Sequence, residues 1–135
     1  MKINCAIVDD DPESVATLTD YIGQLSYLHL TGGYTDAVDA MKGFRDNTID
    51  LLFLGIRMQR LSGLELAKML PKTTKIVFVT AFTEYAIDGY KSGGFDYLLK
   101  PVSYTTTSRL AWRGSRTICA TWREQTLSEE TAICL

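Results

Sequence analysis

Residues 51–58 read LLFLGIRM, and the first half of this stretch is the most strongly marked strand in the sequence. Four large apolar residues in a row, Leu51 to Leu54, are typical of a strand that is buried on both faces of a parallel sheet. The run breaks at Gly55, a residue type that weakens strands and marks bulges or close backbone approaches. This position matters because α/β proteins bind their ligands where such strands end.

Similar apolar segments lie on both sides of this strand and alternate with helical patterns. Asp11 and Asp36 are placed to cap two of these helices, and apolar residues follow them at three- and four-residue spacing. This alternation predicts an α/β fold, with a doubly wound parallel sheet between two layers of helices. Further strands are predicted over Ile3–Val8, Leu28–Tyr34, Lys75–Thr80 and Phe95–Leu99, and helices include one that ends before Pro71 and one over Glu84–Lys91.

Length, charge and cysteine content restrict the class of protein. The 135 residues fit one domain, and the formal net charge of -2 gives no overall basic footprint for nucleic acid or for a membrane surface. No apolar run approaches the roughly 20 residues of a transmembrane helix, and the N-terminal apolar stretch is too short for a signal peptide. Three cysteines without metal-like spacing suit a reducing compartment, so we expect a cytoplasmic protein with no membrane partner.

Polar residues collect where the predicted strands end. The first strand ends in Asp9-Asp10, the fourth in Thr80 and the fifth in Lys100-Pro101. Paired carboxylates form an oxygen site suited to Mg²⁺, and a hydroxyl and an ammonium opposite them would hold phosphoryl oxygens. Taken singly, each has a simpler interpretation, since the acidic run caps a helix, the lysine lies on the surface and the threonine ends a strand. Their coincidence at several strand ends favours a site.

Four segments carry a resemblance to a known family. They are IVDDDP at 7–12, LLFLGIRMQRLSGLELA at 51–67, TKIVFVTAFTEYAIDGY at 74–90 and FDYLLKPVSY at 95–104. The chain resembles the receiver domain of bacterial two-component response regulators (CheY-like), most closely the receivers attached to LytTR-type DNA-binding domains. The resemblance covers residues 1 to about 104 without gaps. It implies a flavodoxin-like sheet of order 2-1-3-4-5 and a sensor histidine kinase as partner.

The resemblance also assigns a metal site. Asp9 and Asp10 match the acidic pair that coordinates Mg²⁺ in the family, and the backbone carbonyl of Arg57 matches a further metal ligand. Gln59 departs from the family pattern, because a proline usually follows the position of Met58. Its presence puts the geometry of the Arg57 carbonyl in doubt.

The remaining assignments concern the phosphoryl group and the switch. Thr80 matches the hydroxyl that moves onto the phosphoryl group, and Tyr97 matches the aromatic residue that changes rotamer with it. Lys100 matches the lysine that contacts phosphoryl oxygen, and the bond to Pro101 is often cis in the family. Tyr97 by itself is also consistent with an ordinary half-buried strand tyrosine.

Gly55 occupies the position of the aspartate that accepts the phosphoryl group in the family. Glycine offers no atom to phosphorylate and removes one carboxylate from the metal site, so Mg²⁺ binding should weaken. The first hypothesis is therefore a receiver, not an enzyme, that is not phosphorylated at this site. The alternative is a pseudo-receiver that signals through protein contacts without phosphoryl chemistry. A third, a Mg²⁺-dependent phosphohydrolase, lacks a nucleophile at the strand ends.

The sequence changes character after Tyr104. Lysine is absent beyond Lys100, whereas both tryptophans and two of the three cysteines occur there. Residues 105–135 show no sustained apolar period, so a fifth helix that covers the sheet would have to form from residues 103–120 or stay poorly formed. DNA binding would need an effector domain that this chain lacks. A reading-frame shift would explain the change, because Thr105 to Ser108 can be encoded by bases that read Asp-Asp-Phe in another frame; the alternative is a natural, divergent tail. An uncovered sheet face would favour a homodimer.

Overall fold

The computed structural model describes residues 2–82 and 94–125. Its five strands are β1 (Ile3–Val8), β2 (Leu28–Tyr34), β3 (Leu51–Gly55), β4 (Lys75–Thr80) and β5 (Asp96–Leu99). The helices in the described ranges are α1 (Pro12–Gly23), α2 (Ala37–Phe44), α3 (Gly63–Met69) and α4 (Tyr104–Gln125). The helix predicted over Glu84–Lys91 lies outside the described residues.

All paired strands are parallel, and their order is β2-β1-β3-β4-β5. This order confirms the predicted fold, with β3 at the centre. The five residues of β3 are all buried, which explains why its sequence is an uninterrupted apolar run. The strand also extends one residue further than its apolar run, so that Gly55 pairs with Val79 of β4.

Alternate strand residues build two separate cores, one on each side of the sheet. Phe53 and Val77 pack with residues of α1 and α4 on one face. Their neighbours Leu54 and Phe78 pack with residues of α2 and α3 on the other face. The sheet is therefore covered on both sides, which gives the predicted three layers. Within the described residues, no helix is long and apolar enough to cross a membrane.

Helices α1, α2 and α3 each begin after a residue whose side chain caps the helix. The caps of α1 and α2, Asp11 and Asp36, are those predicted from the sequence. The Asp11 carboxylate accepts a hydrogen bond from the backbone N of Glu13 at 3.0 Å, and Pro12 opens α1. Asp36 caps α2 through the backbone N of Val38. These caps satisfy amide groups that have no partner inside the helix, so each helix starts directly after the strand-end loop.

A regular helix does form after residue 103, which is one of the two outcomes that the sequence leaves open, and it extends past residue 120. Helix α4 spans 22 residues, and its buried positions recur at three- and four-residue spacing. The hydrophobic pattern of this buried face is weak in the sequence, because small and polar residues occupy about half of its positions. The buried residues of α4 are Thr107, Leu110, Ala111, Gly114, Ser115, Ile118 and Cys119.

The small residues of α4 let the helix approach the sheet closely. A Cβ atom added at Gly114 would lie 3.0 Å from Cδ1 of Leu51, so a larger residue there would push against β3. Edge-to-face aromatic pairs attach the outer flank, with ring centroids 5.7 Å apart for Tyr21–Tyr104 and 5.3 Å apart for Tyr27–Trp112. Because α4 covers this face in the described part of the chain, an uncovered sheet no longer argues for dimerisation, and the homodimer stays a prediction.

Candidate functional site

The carboxyl ends of β1, β3, β4 and β5 meet at one edge of the sheet. Strand register places Val8 beside Leu54, and Thr80 beside Leu99. The residues that follow or close these strands are therefore neighbours, although they are far apart in sequence. The backbone continues this alignment one residue beyond the strands, since the N–H of Lys100 donates to the carbonyl oxygen of Thr80 at 2.8 Å.

Asp9 is the most buried charged group at this edge, with a side chain only 2% exposed. Its Oδ1 accepts hydrogen bonds from the backbone N of Asp11 at 3.0 Å and from Nζ of Lys100 at 3.3 Å. Its Oδ2 lies closer to that ammonium, at 3.0 Å, but not in hydrogen-bonding orientation, so no donor among the described residues serves this oxygen. Burial raises the pKa of Asp9, and the Asp11 amide and the Lys100 ammonium oppose that rise.

Gly55 lies directly against this carboxylate. A Cβ atom at Gly55 would be 3.1 Å from Cγ and 3.2 Å from Oδ2 of Asp9. A side chain at position 55 would therefore point into the same small volume as Asp9. The geometry brings position 55, Asp9 and Lys100 together, although residue 55 contributes only backbone.

A second glycine brings α3 against the end of β3. A Cβ atom at Gly63 would overlap the carbonyl group of Gly55, and the N–H of Gly63 donates to the carbonyl oxygen of Ile56 at 2.8 Å. The loop between β3 and α3 is thereby folded back tightly on the strand. A residue without a side chain is required at position 63 for this approach.

Thr80 and Tyr97 each contact residues close to the end of their own strand or in the adjacent core. Thr80 is buried, and its Oγ1 accepts a hydrogen bond from the backbone N of Phe82 at 3.1 Å, which fixes the turn after β4. Tyr97 is half-buried beside Phe78 and packs against the core on the α2–α3 side. The Lys100–Pro101 peptide bond is cis.

Asp10 and Arg57 lie on the open side of the edge. Both are exposed and line a surface cavity of about 660 Å³. The guanidinium of Arg57 lies over the ring of Phe82, 5.1 Å from its centroid, which joins the loop after β3 to the loop after β4. Asp10 is thus accessible from solvent, whereas Asp9 is not.

An ion pair at the rim was not predicted from the sequence. Arg60 has a left-handed backbone conformation, with φ of 64°, and its guanidinium forms an ion pair with the Asp36 carboxylate. The pair joins the β3–α3 loop to the residue that caps α2, beside a cavity that Asp10 and Gln59 also line. No sequence signal announces it, because a left-handed arginine has no distinctive pattern and a bulky residue rarely adopts this φ.

The side chains at this edge offer a cation the two carboxylates of Asp9 and Asp10. Within residues 2–82 and 94–125 there is no cluster of three or more side chains of metal-binding type. The oxygen of Asp9 that lacks a hydrogen-bond donor is already 3.0 Å from the Lys100 ammonium. Asp9, Asp10 and the Arg57 carbonyl would give the cation two negatively charged ligands, whereas a carboxylate at position 55 would add a third.

Comparisons with known proteins agree with this architecture. The response regulator receiver domain family matches residues 5–109. A response regulatory protein of Shewanella oneidensis is 39% identical over 109 residues, which cover 79% of this chain and 46% of that protein. The transcriptional regulatory protein BtsR of Escherichia coli K12 is 40% identical over 102 residues, covering 74% of this chain and 43% of BtsR.

Solved structures give the same result. The response regulatory domain of MrkE from Klebsiella pneumoniae superposes with a TM-score of 0.73 at 27% identity, covering 84% of this chain and 99% of that domain. NtrX from Brucella abortus has a TM-score of 0.83 at 23% identity, over 94% of this chain and 30% of NtrX, which supports the fold alone. The chain spans less than half the length of the Shewanella protein and of BtsR. The chain belongs to the response regulator receiver domain family.

Proposed function

We propose that this receiver does not accept a phosphoryl group at the end of β3. The observation that carries the proposal is the direction that a side chain at position 55 would take: its Cβ would lie 3.1 Å from Cγ of Asp9. A side chain there would share a site with a buried carboxylate and with Lys100. Glycine supplies no nucleophile in that volume, so no acyl phosphate can form at this residue.

Neighbouring acids do not replace the missing one at this position. Asp50 precedes β3 and lies at the opposite edge, where its Oδ2 accepts a hydrogen bond from the backbone N of Asn4 at 2.9 Å. Asp46 lies between α2 and β3, also away from the carboxyl ends. Asp9 is buried and neutralised by Lys100.

Glycine at position 55 should also weaken the binding of Mg²⁺ at this edge. A family Mg²⁺ site would here rest on Asp9, Asp10 and the backbone carbonyl of Arg57. Mg²⁺ is normally held by few protein ligands, so the loss of one carboxylate removes a large part of the attraction. The Lys100 ammonium also compensates the charge of Asp9 in place of the cation.

The wider role follows from the family. A receiver of this type is expected to contact a sensor histidine kinase in the cytoplasm and to act on transcription through a DNA-binding domain, as a regulator and not as an enzyme. The similarity to BtsR, a transcriptional regulatory protein, supports this role. The Gly55 substitution favours signalling through protein contacts, as in a pseudo-receiver, over signalling by phosphate. That residues 105–135 derive from another reading frame stays a prediction, which the gene sequence tests.

The experiment compares the unaltered chain with Gly55→Asp and Gly55→Asn. Each is incubated with acetyl phosphate and Mg²⁺, and intact mass is measured before and after hydroxylamine, which cleaves acyl phosphates. In the expected reaction, a carboxylate oxygen at position 55 bonds to phosphorus, the bond from phosphorus to the acyl oxygen breaks, and acetate leaves. Gly55→Asn introduces a similar volume without the nucleophile.

We expect one phosphoryl group on Gly55→Asp and none on the other two chains. Phosphate on the unaltered chain would overturn the proposal. Failure of Gly55→Asp as well would leave the acceptor proposal standing for the native chain but show that the surrounding machinery is not competent. That result would favour the phosphorylation-independent binding module.

A further inference from the structure

The outward face of α4 carries four arginines on one side of the helix. Arg109, Arg113, Arg116 and Arg123 are all exposed. At 100° and 1.5 Å per residue, they lie within an arc of about 80° and along about 21 Å of the helix. We call this surface the arginine stripe. Trp112, which is 40% exposed, borders it.

Two of the four guanidinium groups, those of Arg113 and Arg116, are oriented by neighbouring side chains. Arg113 bonds to Oδ2 of Asp96 at 2.7 Å while 56% of its side chain stays exposed, and it lies 5.6 Å from the Phe95 ring centroid. Arg116 lies 6.0 Å from the ring centroid of Trp112. Restrained guanidiniums lose less conformational entropy on binding than free ones.

Charge on this chain is divided between the stripe and the rest of the molecule. Helix α4 contains four arginines and one glutamate and thus carries +3. The other residues contain ten basic and fifteen acidic side chains and thus carry -5. The overall charge of -2 conceals a local basic surface that is complementary to an acidic one.

The composition and width of the stripe favour a protein partner over nucleic acid. Arginine and tryptophan are enriched in protein interfaces and lysine is depleted, and α4 contains no lysine. The stripe is only one helix wide, and charges interact over a Debye length of about 8 Å at physiological salt. A long polyanion would extend beyond the four arginines, whereas a short acidic helix matches the length and width of the stripe.

We propose that the arginine stripe binds an acidic α-helical segment of a partner protein. The partner presents carboxylates at the spacing of the arginines and an apolar residue opposite Trp112. The matched family region stops at residue 109, so most of this surface lies beyond it. The inference is independent of whether Gly55 abolishes phosphorylation.

The test uses fluorescence anisotropy with the whole chain and two labelled probes. One is an alanine-based helical peptide with glutamates at the spacing of the four arginines and one leucine; the other has glutamine in place of each glutamate. We expect binding of the glutamate peptide alone, weakened by added salt. Arg109→Gln/Arg116→Gln should weaken it about fivefold to tenfold, because two charge pairs are lost.

Two further variants serve as controls. Lys68→Gln/Lys72→Gln removes the same charge from exposed positions at and beyond the end of α3 and should leave affinity unchanged. Arg109→Lys/Arg116→Lys keeps the charge and should retain most of the binding, which separates charge from any folding defect. Three results would each overturn the proposal. The glutamine peptide could bind as tightly as the glutamate peptide, or Lys68→Gln/Lys72→Gln could lose as much affinity as Arg109→Gln/Arg116→Gln. A thymidine oligonucleotide could also bind more tightly than the glutamate peptide.

Discussion

Lys100 Nζ lies 3.0 Å from Oδ2 of Asp9, at an edge of the sheet where the Asp9 side chain is only 2% exposed. The two residues are brought together by the ends of β1 and β5, and position 55 closes the same volume from β3. A carboxylate in such a place needs a counter-charge, because a buried unpaired charge is costly. Because residue 55 is glycine and has no carboxylate of its own, the Lys100 ammonium compensates the charge of Asp9 at this point.

The ion pair predicts a loss of stability when its cation is removed. Lys100→Met leaves Asp9 buried with the Asp11 amide as its remaining donor. We expect the free energy of unfolding at neutral pH to fall by about 1–2 kcal/mol, toward the low end because Lys100 is 26% exposed. Urea denaturation measures it. Lys72→Met, at an exposed position, is the matched control, and an equal loss there would contradict the role of the pair.

Asp50 predicts a pH dependence of stability that does not involve the candidate site. Burial raises its pKa, and the hydrogen bond from the Asn4 amide only partly opposes this. The folded state therefore binds the proton more tightly than the unfolded state, so Asp50 destabilises the fold as pH rises from about 4 through the raised pKa.

Asp50→Asn keeps an acceptor for Asn4 but cannot ionise. The stability of the unaltered chain should therefore decline relative to this variant as pH rises through that window. Thermal unfolding at several pH values measures the difference. A difference that stays constant, or grows as pH falls, would contradict the assignment.

The strands could be predicted from sequence far better than the last helix. Leu51 to Leu54 form an apolar run that is typical of a central parallel strand, and β3 extends one residue beyond this run, to Gly55. The sequence does not decide whether α4 forms, because Thr107, Gly114 and Ser115 occupy buried positions without adding hydrophobicity. Their burial depends on the close approach of the helix to the sheet, which no local pattern encodes.

The site was predictable in position but not in its rim contacts. Parallel strands end at a common edge, so strand-end residues such as Asp9 and Lys100 could be grouped from the strand pattern alone. The Arg60–Asp36 ion pair depends on a left-handed loop conformation and on the distance between two loops. Both are tertiary properties that the spacing of residues does not determine.

The buried hydroxyl of Thr107 predicts a stabilising substitution. Thr107 is 0% exposed, and its Oγ1 has no hydrogen-bond partner within the described residues. Thr107→Val has a similar shape and removes the unsatisfied group, so the free energy of unfolding should rise by about 1 kcal/mol. Thr121→Val is the control, because Thr121 Oγ1 does donate to the Thr117 carbonyl at 3.2 Å; no gain is expected there.

The close contact at Gly63 predicts a position-specific glycine effect. Gly63→Ala places a Cβ on the Gly55 carbonyl and must displace α3 from the end of β3, which should cost about 2 kcal/mol of stability. Gly23→Ala meets no atom within 4 Å and, as a helical position, should be neutral or stabilising by about 0.5 kcal/mol. Chemical denaturation compares them, and equal effects would refute the packing argument.

Position 55 predicts how Mg²⁺ couples to folding. Gly55→Asp adds a carboxylate whose Cβ lies 3.1 Å from Cγ of Asp9, so without metal the two acids repel and the melting temperature should fall below that of Gly55→Asn. Mg²⁺ binds the folded state and stabilises it by mass action, so millimolar Mg²⁺ should raise the melting temperature of Gly55→Asp more than that of the other chains. Ca²⁺-free thermal scans with and without Mg²⁺ measure this. If the unaltered chain responds to Mg²⁺ as strongly as Gly55→Asp does, then Asp9 and Asp10 suffice to hold the metal, and a third carboxylate is not what the site lacks.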